Sequence, residues 1–120
     1  MYIASFGHDH LKELRLKSTD VYIDVREDTP TVDTKKYGID RKTQKMFFAS
    51  KEVKEYYKKK ILKKVEKKIA SRKNFHWRVF IGDDIGRLEA VMYAEKLERD
   101  IIKKYKVLPS VEHISIAVAL

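Results

Sequence analysis

Two neighbouring carboxylates, Asp83 and Asp84, sit between Gly82 and Gly86-Arg87, directly after the apolar run Trp77-Arg78-Val79-Phe80-Ile81. A strand that ends in a glycine-flanked turn and feeds a helix aims backbone amides at whatever lies above it, which is a common anion site in α/β proteins. Two aspartates work against an anion there. They admit instead an aspartate nucleophile at Asp83 or a Mg2+ ion. The bland alternative is a turn in which Asp84 caps the following helix with Arg87 beside it. A second group is His8-Asp9-His10, which follows the run Tyr2–Phe6 and its Gly7, and a third is Asp24 and Arg26 at the end of another apolar run. If those runs are parallel strands, Gly7, His10, Asp24, Arg26, Gly82, Asp83, Asp84, Gly86 and Arg87 share one cleft. Two histidines and a carboxylate suit a metal, and equally a hydrogen-bond network that holds loops together. No residue is assigned a catalytic or metal-ligating role, and no cofactor is expected. His76 and His113 sit in or beside strands and read as structural.

The strongest functional signal lies elsewhere. From Lys51 to Lys73 the chain carries ten lysines and Arg72 against three glutamates. Lys58, Lys59, Lys60, Lys63, Lys64, Lys67, Lys68 and Arg72 are candidates to track a phosphate backbone without reading its sequence. Tyr56, off the apolar stripe, is placed to stack on a base. A solvated lysine face is the competing reading. With a net charge of +9 the expected partners are anionic, RNA or another nucleic acid first and a small phosphorylated ligand second. No helix-turn-helix, zinc-finger or RNA-recognition signature points to sequence-specific reading. There is no cysteine, which excludes disulfides, thiolate metal sites and cysteine nucleophiles. No apolar run approaches a membrane span, and the first six residues are too short for a signal-peptide core, so no membrane association and a cytoplasmic location are expected.

These residues need a scaffold. At 120 residues, 43% of them hydrophobic, the chain is expected to form one domain over residues 1–120 with a single core. Strands are predicted over 2–6, 20–25, 77–81 and 113–118, the last within the nearly all-apolar stretch 113–120 and therefore buried on both faces in mid-sheet. A helical turn is expected over 11–17 with Leu11, Leu14 and Leu16 inward. Pro30 enforces a break, residues 33–38 read as loop, and Asp40 caps a short helix through residue 48. Ser50 caps a longer helix over 50–73 whose Val53, Tyr57, Ile61, Val65 and Ile69 recur every four residues, ended by Asn74. A last helix over 86–104 packs through Ala90, Ala94, Leu97 and Ile101. The fold class is α/β, a mainly parallel sheet flanked by helices.

Four segments resemble the C-terminal domain of the bacterial RNase adapter family (RapZ): Ser5-Phe6-Gly7-His8-Asp9-His10, Tyr22-Ile23-Asp24-Val25-Arg26, Tyr37-Gly38-Ile39-Asp40, and Ile81 to Arg87 with Val91 and Ala94-Glu95-Lys96-Leu97. They are similar to that family's S-F-G-x-K-H-G, V-F-D-V-R, T-G-L-D and I-G-C-T-G-G-x-H-R-S-V-x-x-A-E-x-L, and they come in the same order. The resemblance implies a small α/β domain of adapter type that binds a phosphorylated amino sugar in its loops and RNA on a basic surface. No G-x-x-x-x-G-K-[ST] run occurs, so a stand-alone relative without that family's ATPase domain is expected. Gly7, His10, Asp24, Arg26, Gly38, Gly82 and Gly86 are retained. Asp83, Asp84 and Ile85 replace Cys, Thr and Gly, Leu88-Glu89-Ala90 replaces His-Arg-Ser, and Asp9 replaces a lysine. These changes imply a divergent cleft that holds sugar phosphates poorly.

Overall fold

A computed structural model describes residues 1–26, 40–85 and 88–119. The expected break at Pro30, the loop 33–38, and Gly38, Gly86 and Arg87 lie outside the described residues. Four strands form one parallel sheet in the order β2-β3-β1-β4: β1 Tyr2–Gly7, β2 Val21–Asp24, β3 Arg78–Asp83 and β4 Ser110–His113. β1 pairs with β3 from Tyr2↔Arg78 to Gly7↔Asp83, and β2 joins the other side of β3 from Val21↔Val79 to Asp24↔Gly82. All strands run the same way, so every strand-end loop emerges at one edge of the sheet. The fold is a single-domain α/β structure with a parallel sheet and flanking helices.

Strand alternation sorts the side chains into two cores. Ile3, Val21, Ile23, Val79 and Ile81 face the larger one, which four helices cover: α1 Arg41–Phe48, α2 Lys51–Tyr56, α3 Lys63–Arg72 and α4 Glu89–Tyr105. Ala4, Phe6 and Phe80 face the smaller one, against Leu11, Leu14 and Ile114. Leu11 belongs to a 3-10 helix, His8–Glu13, shorter than the helical turn expected there. Leu16, expected inward, is 39% exposed, because the helical turn stops before it.

A π-helical turn, Tyr57–Leu62, joins α2 to α3, so residues 51–72 form one continuous rod. The four-residue spacing of its apolar stripe explains the turn. On a regular α-helix each four-residue step drifts by about 40°, and one wider i→i+5 turn takes up that drift. Val53, Tyr57, Ile61 and Val65 are accordingly all buried. Ser50 caps the rod by accepting from the Val53 amide, and Lys73, in left-handed backbone at φ 56°, ends it where Asn74 was expected to. Tyr56 is not a free stacking platform. Its ring lies 5.7 Å from that of the buried Tyr93, at the margin of the core.

The C-terminal stretch departs most from expectation. Only Ser110–His113 is strand, and it lies at the edge of the sheet, not in the middle. The apolar run after it is a helix, α5 Ile114–Ala119. A short continuous apolar run suits a buried helix as well as a buried strand. Here Ile114 packs on the smaller core, beside Leu11 and Leu14 and on the side of the sheet away from α1 to α4. Among the described residues no helix is long and apolar enough to cross a membrane.

Candidate functional site

At the strand-end edge, β1 leads into His8, which ties three strands together. Its Nδ1 is 2.7 Å from the Asp83 carbonyl and its Nε2 is 2.5 Å from the Tyr22 hydroxyl. A carbonyl only accepts, so Nδ1 donates to Asp83, and Nε2 shares a hydrogen bond with the Tyr22 hydroxyl. His8 thereby bridges β1, β2 and β3, with Asp24 Oδ2 3.8 Å from its Nε2. The residue types gave no reason to prefer His8 over His10. The usable signal is Tyr22, which strand parity puts on the face of Phe6 and Phe80. Gly82 lies beneath this bridge. A Cβ there would fall 2.3 Å from the Phe6 ring and 2.7 Å from the His8 ring, so only glycine fits.

Asp24 receives Arg26 through both carboxylate oxygens, with Nη2 to Oδ2 at 2.7 Å and Nε to Oδ1 at 3.0 Å. The guanidinium hydrogen bonds hold the Asp24 carboxyl down at about 2. His10 turns the other way. Its Nδ1 is 2.9 Å from Ser115 Oγ on α5, and that oxygen accepts from the Gly7 amide at 2.8 Å. The strand ends therefore bring Gly7, Asp24, Arg26, Gly82, Asp83 and Asp84 to one sheet edge. His8 faces Asp24, whereas His10 packs toward α5.

The acidic pair divides its work. Asp83 is 4% exposed, and its Oδ2 accepts from the Ala90 amide at 3.0 Å in the first turn of α4. Asp83 is the capping residue, and Asp84, expected in that role, is exposed. Strand parity decides this: β3 runs through Asp83, which shares the helix-facing side with Val79 and Ile81. α4 starts at Glu89, three residues later than expected. Burial pushes the Glu89 carboxyl up, and the charges of Asp83 and Asp84 push it further. This edge thus carries negative charge and internally satisfied polar groups. Among the described residues no three His, Asp or Glu side chains gather as metal ligands would.

The rod presents the opposite character. Lys58, Lys59, Lys60, Lys63, Lys64, Lys67 and Arg72 are exposed and Lys68 is half-buried. Glu66 is drawn away from them. It accepts from Lys104 and from the Tyr105 hydroxyl on α4, and the Lys104 hydrogen bond holds its carboxyl below the ordinary value. Lys64 donates to the Tyr22 carbonyl at 2.9 Å on the exposed side of β2. Among the described residues none of these eight cations has a carboxylate partner. No protein-family model matches the chain, and no curated protein matches it.

Proposed function

We propose that this protein is a non-catalytic, adapter-type RNA-binding domain of the cytoplasm, and that the outer face of the rod formed by residues 51–72 holds the phosphate backbone. The observation that carries this reading is the set of eight cations on the rod without a carboxylate partner among the described residues, while Glu66 is spent on α4. Lysines so placed gain affinity mainly by releasing counterions from the nucleic acid. The resemblance of four chain segments to the RNase adapter C-terminal domain points the same way. A small phosphorylated ligand in the sheet-edge cleft is the competing reading. Asp83, Asp84 and Glu89 count against it, because they place negative charge where a phosphate would lie.

Salt dependence tests the proposal. The log of affinity for single-stranded RNA should fall linearly with log salt, with a slope of about −0.7 per contacted phosphate. If Lys59, Lys63 and Lys67 each contact one phosphate, converting all three to glutamate should flatten the slope by about 2. The affinity gap between variant and parent should then narrow roughly 20-fold between 50 and 200 mM salt. A charge-matched control reverses Lys12, Arg15 and Lys17, all exposed and in the segment that covers the other sheet face. Equal losses in both triple variants would reduce the rod to a solvated face and remove the proposal's support.

A further inference from the structure

The groove between α1 and α4 has features that the lysine rod does not explain. It measures about 340 Å³, at the low end of small-ligand sites, and its walls include Arg41 and Lys45 from α1 and Lys96 and Arg99 from α4. Their spacings, four residues on one helix and three on the other, put each pair on one helical face. Among the described residues Arg41 and Lys45 have no ion-pair partner, and Lys96 has only Asp100, at 3.2 Å, an aspartate that also accepts from the Tyr57 hydroxyl. Four cations thus share a small volume, with Asp100 paired to Lys96 and Glu95 behind Gln44.

Arg99 is held there without being neutralised. Its Nη1 donates to Gln44 Oε1 at 3.2 Å. Gln44 is 4% exposed, and its Nε2 donates to Glu95 Oε1 at 2.6 Å. The other Glu95 oxygen meets His113 Nε2 at 2.8 Å, and His113 Nδ1 meets Ser5 Oγ at 2.7 Å. A chain of polar contacts therefore runs from the centre of the sheet to the groove and ends on a guanidinium. Its last member is a neutral amide. A glutamate at that position would orient Arg99 and also cancel its charge. The glutamine orients it and leaves the charge to the groove, and the other guanidinium nitrogens have no partner among the described residues.

We propose that this groove binds a phosphate monoester. Two guanidiniums and two ammoniums suit a compact dianion with three terminal oxygens better than a diester with one charge, since guanidinium forks pair with phosphate oxygens two at a time. Half-buried Phe48 adds an apolar wall for the group that bears the phosphate. The same chemistry occurs at the 5′ end of an RNA and on a free nucleoside monophosphate. The proposal holds for either source and does not depend on the lysine rod binding RNA.

The test uses the full chain and four probes: one short single-stranded RNA with a 5′-phosphate or a 5′-hydroxyl, read by fluorescence anisotropy, and AMP or adenosine, read by calorimetry. If RNA ends are the source, the phosphorylated oligomer should bind at least fivefold tighter than the hydroxyl form. That preference should fall below twofold in Arg99→Gln and, separately, in Arg41→Gln/Lys45→Gln, whose side chains are exposed and whose loss leaves the Gln44 contacts in place. Reversing Lys59, Lys63 and Lys67 should weaken both oligomers alike and keep the preference. If a free ligand is the source, AMP should bind saturably and adenosine should not, with AMP binding lost in the same two variants. AMP binding without any RNA binding would sink the rod reading and leave the groove standing. The inference is overturned if neither phosphate preference exists, or if one exists and survives both groove variants with unchanged circular dichroism.

Discussion

Asp83 and Asp84 adjoin in sequence, yet their replacement should have very different consequences. Asp83→Ala removes the Oδ2 acceptor 3.0 Å from the Ala90 amide and leaves that buried donor unpaired. Losing an N-cap acceptor costs about 1 to 2 kcal/mol. One effect opposes it. The Glu89 carboxyl is pushed up by burial and then by Asp83 and Asp84, so removing one aspartate relieves repulsion, by roughly a few tenths of a kcal/mol for a partly exposed group. The net loss should be about 1.2 kcal/mol. For a domain of this size that is about 5 °C in melting temperature. Asp83→Asn keeps an acceptor oxygen and should lose roughly half as much. Asp84→Ala should stay within about 0.5 kcal/mol of the parent, as exposed substitutions do. Thermal melts followed by circular dichroism, with urea titrations to check that the m-value is unchanged, give both numbers. The capping assignment would be refuted by Asp84→Ala melting as low as Asp83→Ala, or by Asp83→Ala melting within 1 or 2 °C (on the scale of about 4 °C per kcal/mol) of the parent.

Gly82→Ala should cost about 2 to 3 kcal/mol, because its Cβ would overlap the Phe6 and His8 rings and both are packed. A urea midpoint equal to that of the parent would contradict this packing. Glu95 supplies a pH prediction. Burial pushes its carboxyl up, but hydrogen bonds from His113 and Gln44 outweigh burial and hold it below the ordinary glutamate value. A depressed folded-state carboxyl adds stability that is fully present above the unfolded pKa and is lost as pH falls through the folded one. Glu95→Gln should therefore lower the melting temperature at pH 7, by an amount equivalent to about 1 kcal/mol, and flatten the acid limb below the ordinary glutamate range. An acid limb of unchanged steepness would show that Glu95 is not among the groups that shape it.

Much of the fold is legible in the residues because one periodicity dominates each element. The rod announces itself through Val53, Tyr57, Ile61 and Val65, and Ser50 marks its start. β1, β2 and β3 fall where β-branched and aromatic residues cluster. The C-terminal stretch is less legible, because an apolar run has no period to read, and both a central strand and a helix over an open sheet face satisfy it. The choice was settled by the smaller core, which only a tertiary arrangement creates. Within the site, the identity of the cap was legible in principle, since Val79, Ile81 and Asp83 share strand parity and Asp84 breaks it. The α1–α4 groove was not. Arg41 and Lys45 look like any exposed pair on a short helix until α4 is laid beside them.

The same charges also bear on where a ligand can sit. In parallel α/β sheets the carboxyl edge of the strands is the usual place for one. Here that edge holds His8 as a bridge between strands, Asp24 matched to Arg26, and Asp83 turned inward to cap α4. These three groups already have partners, and a phosphate arriving would meet the carboxylates of Asp84 and Glu89. The helical layer is arranged the other way. Glu66 pairs across helices with Lys104, and Asp100 pairs with Lys96 one turn away on α4, while lysines on the rod and cations on α1 remain without carboxylates among the described residues. Neutral Gln44 keeps Arg99 charged. The rod and the α1–α4 groove together carry a cluster of cations without carboxylate partners among the described residues, Lys96 excepted. Anionic ligands are therefore expected on the helices that cover the sheet, away from the loops at its end.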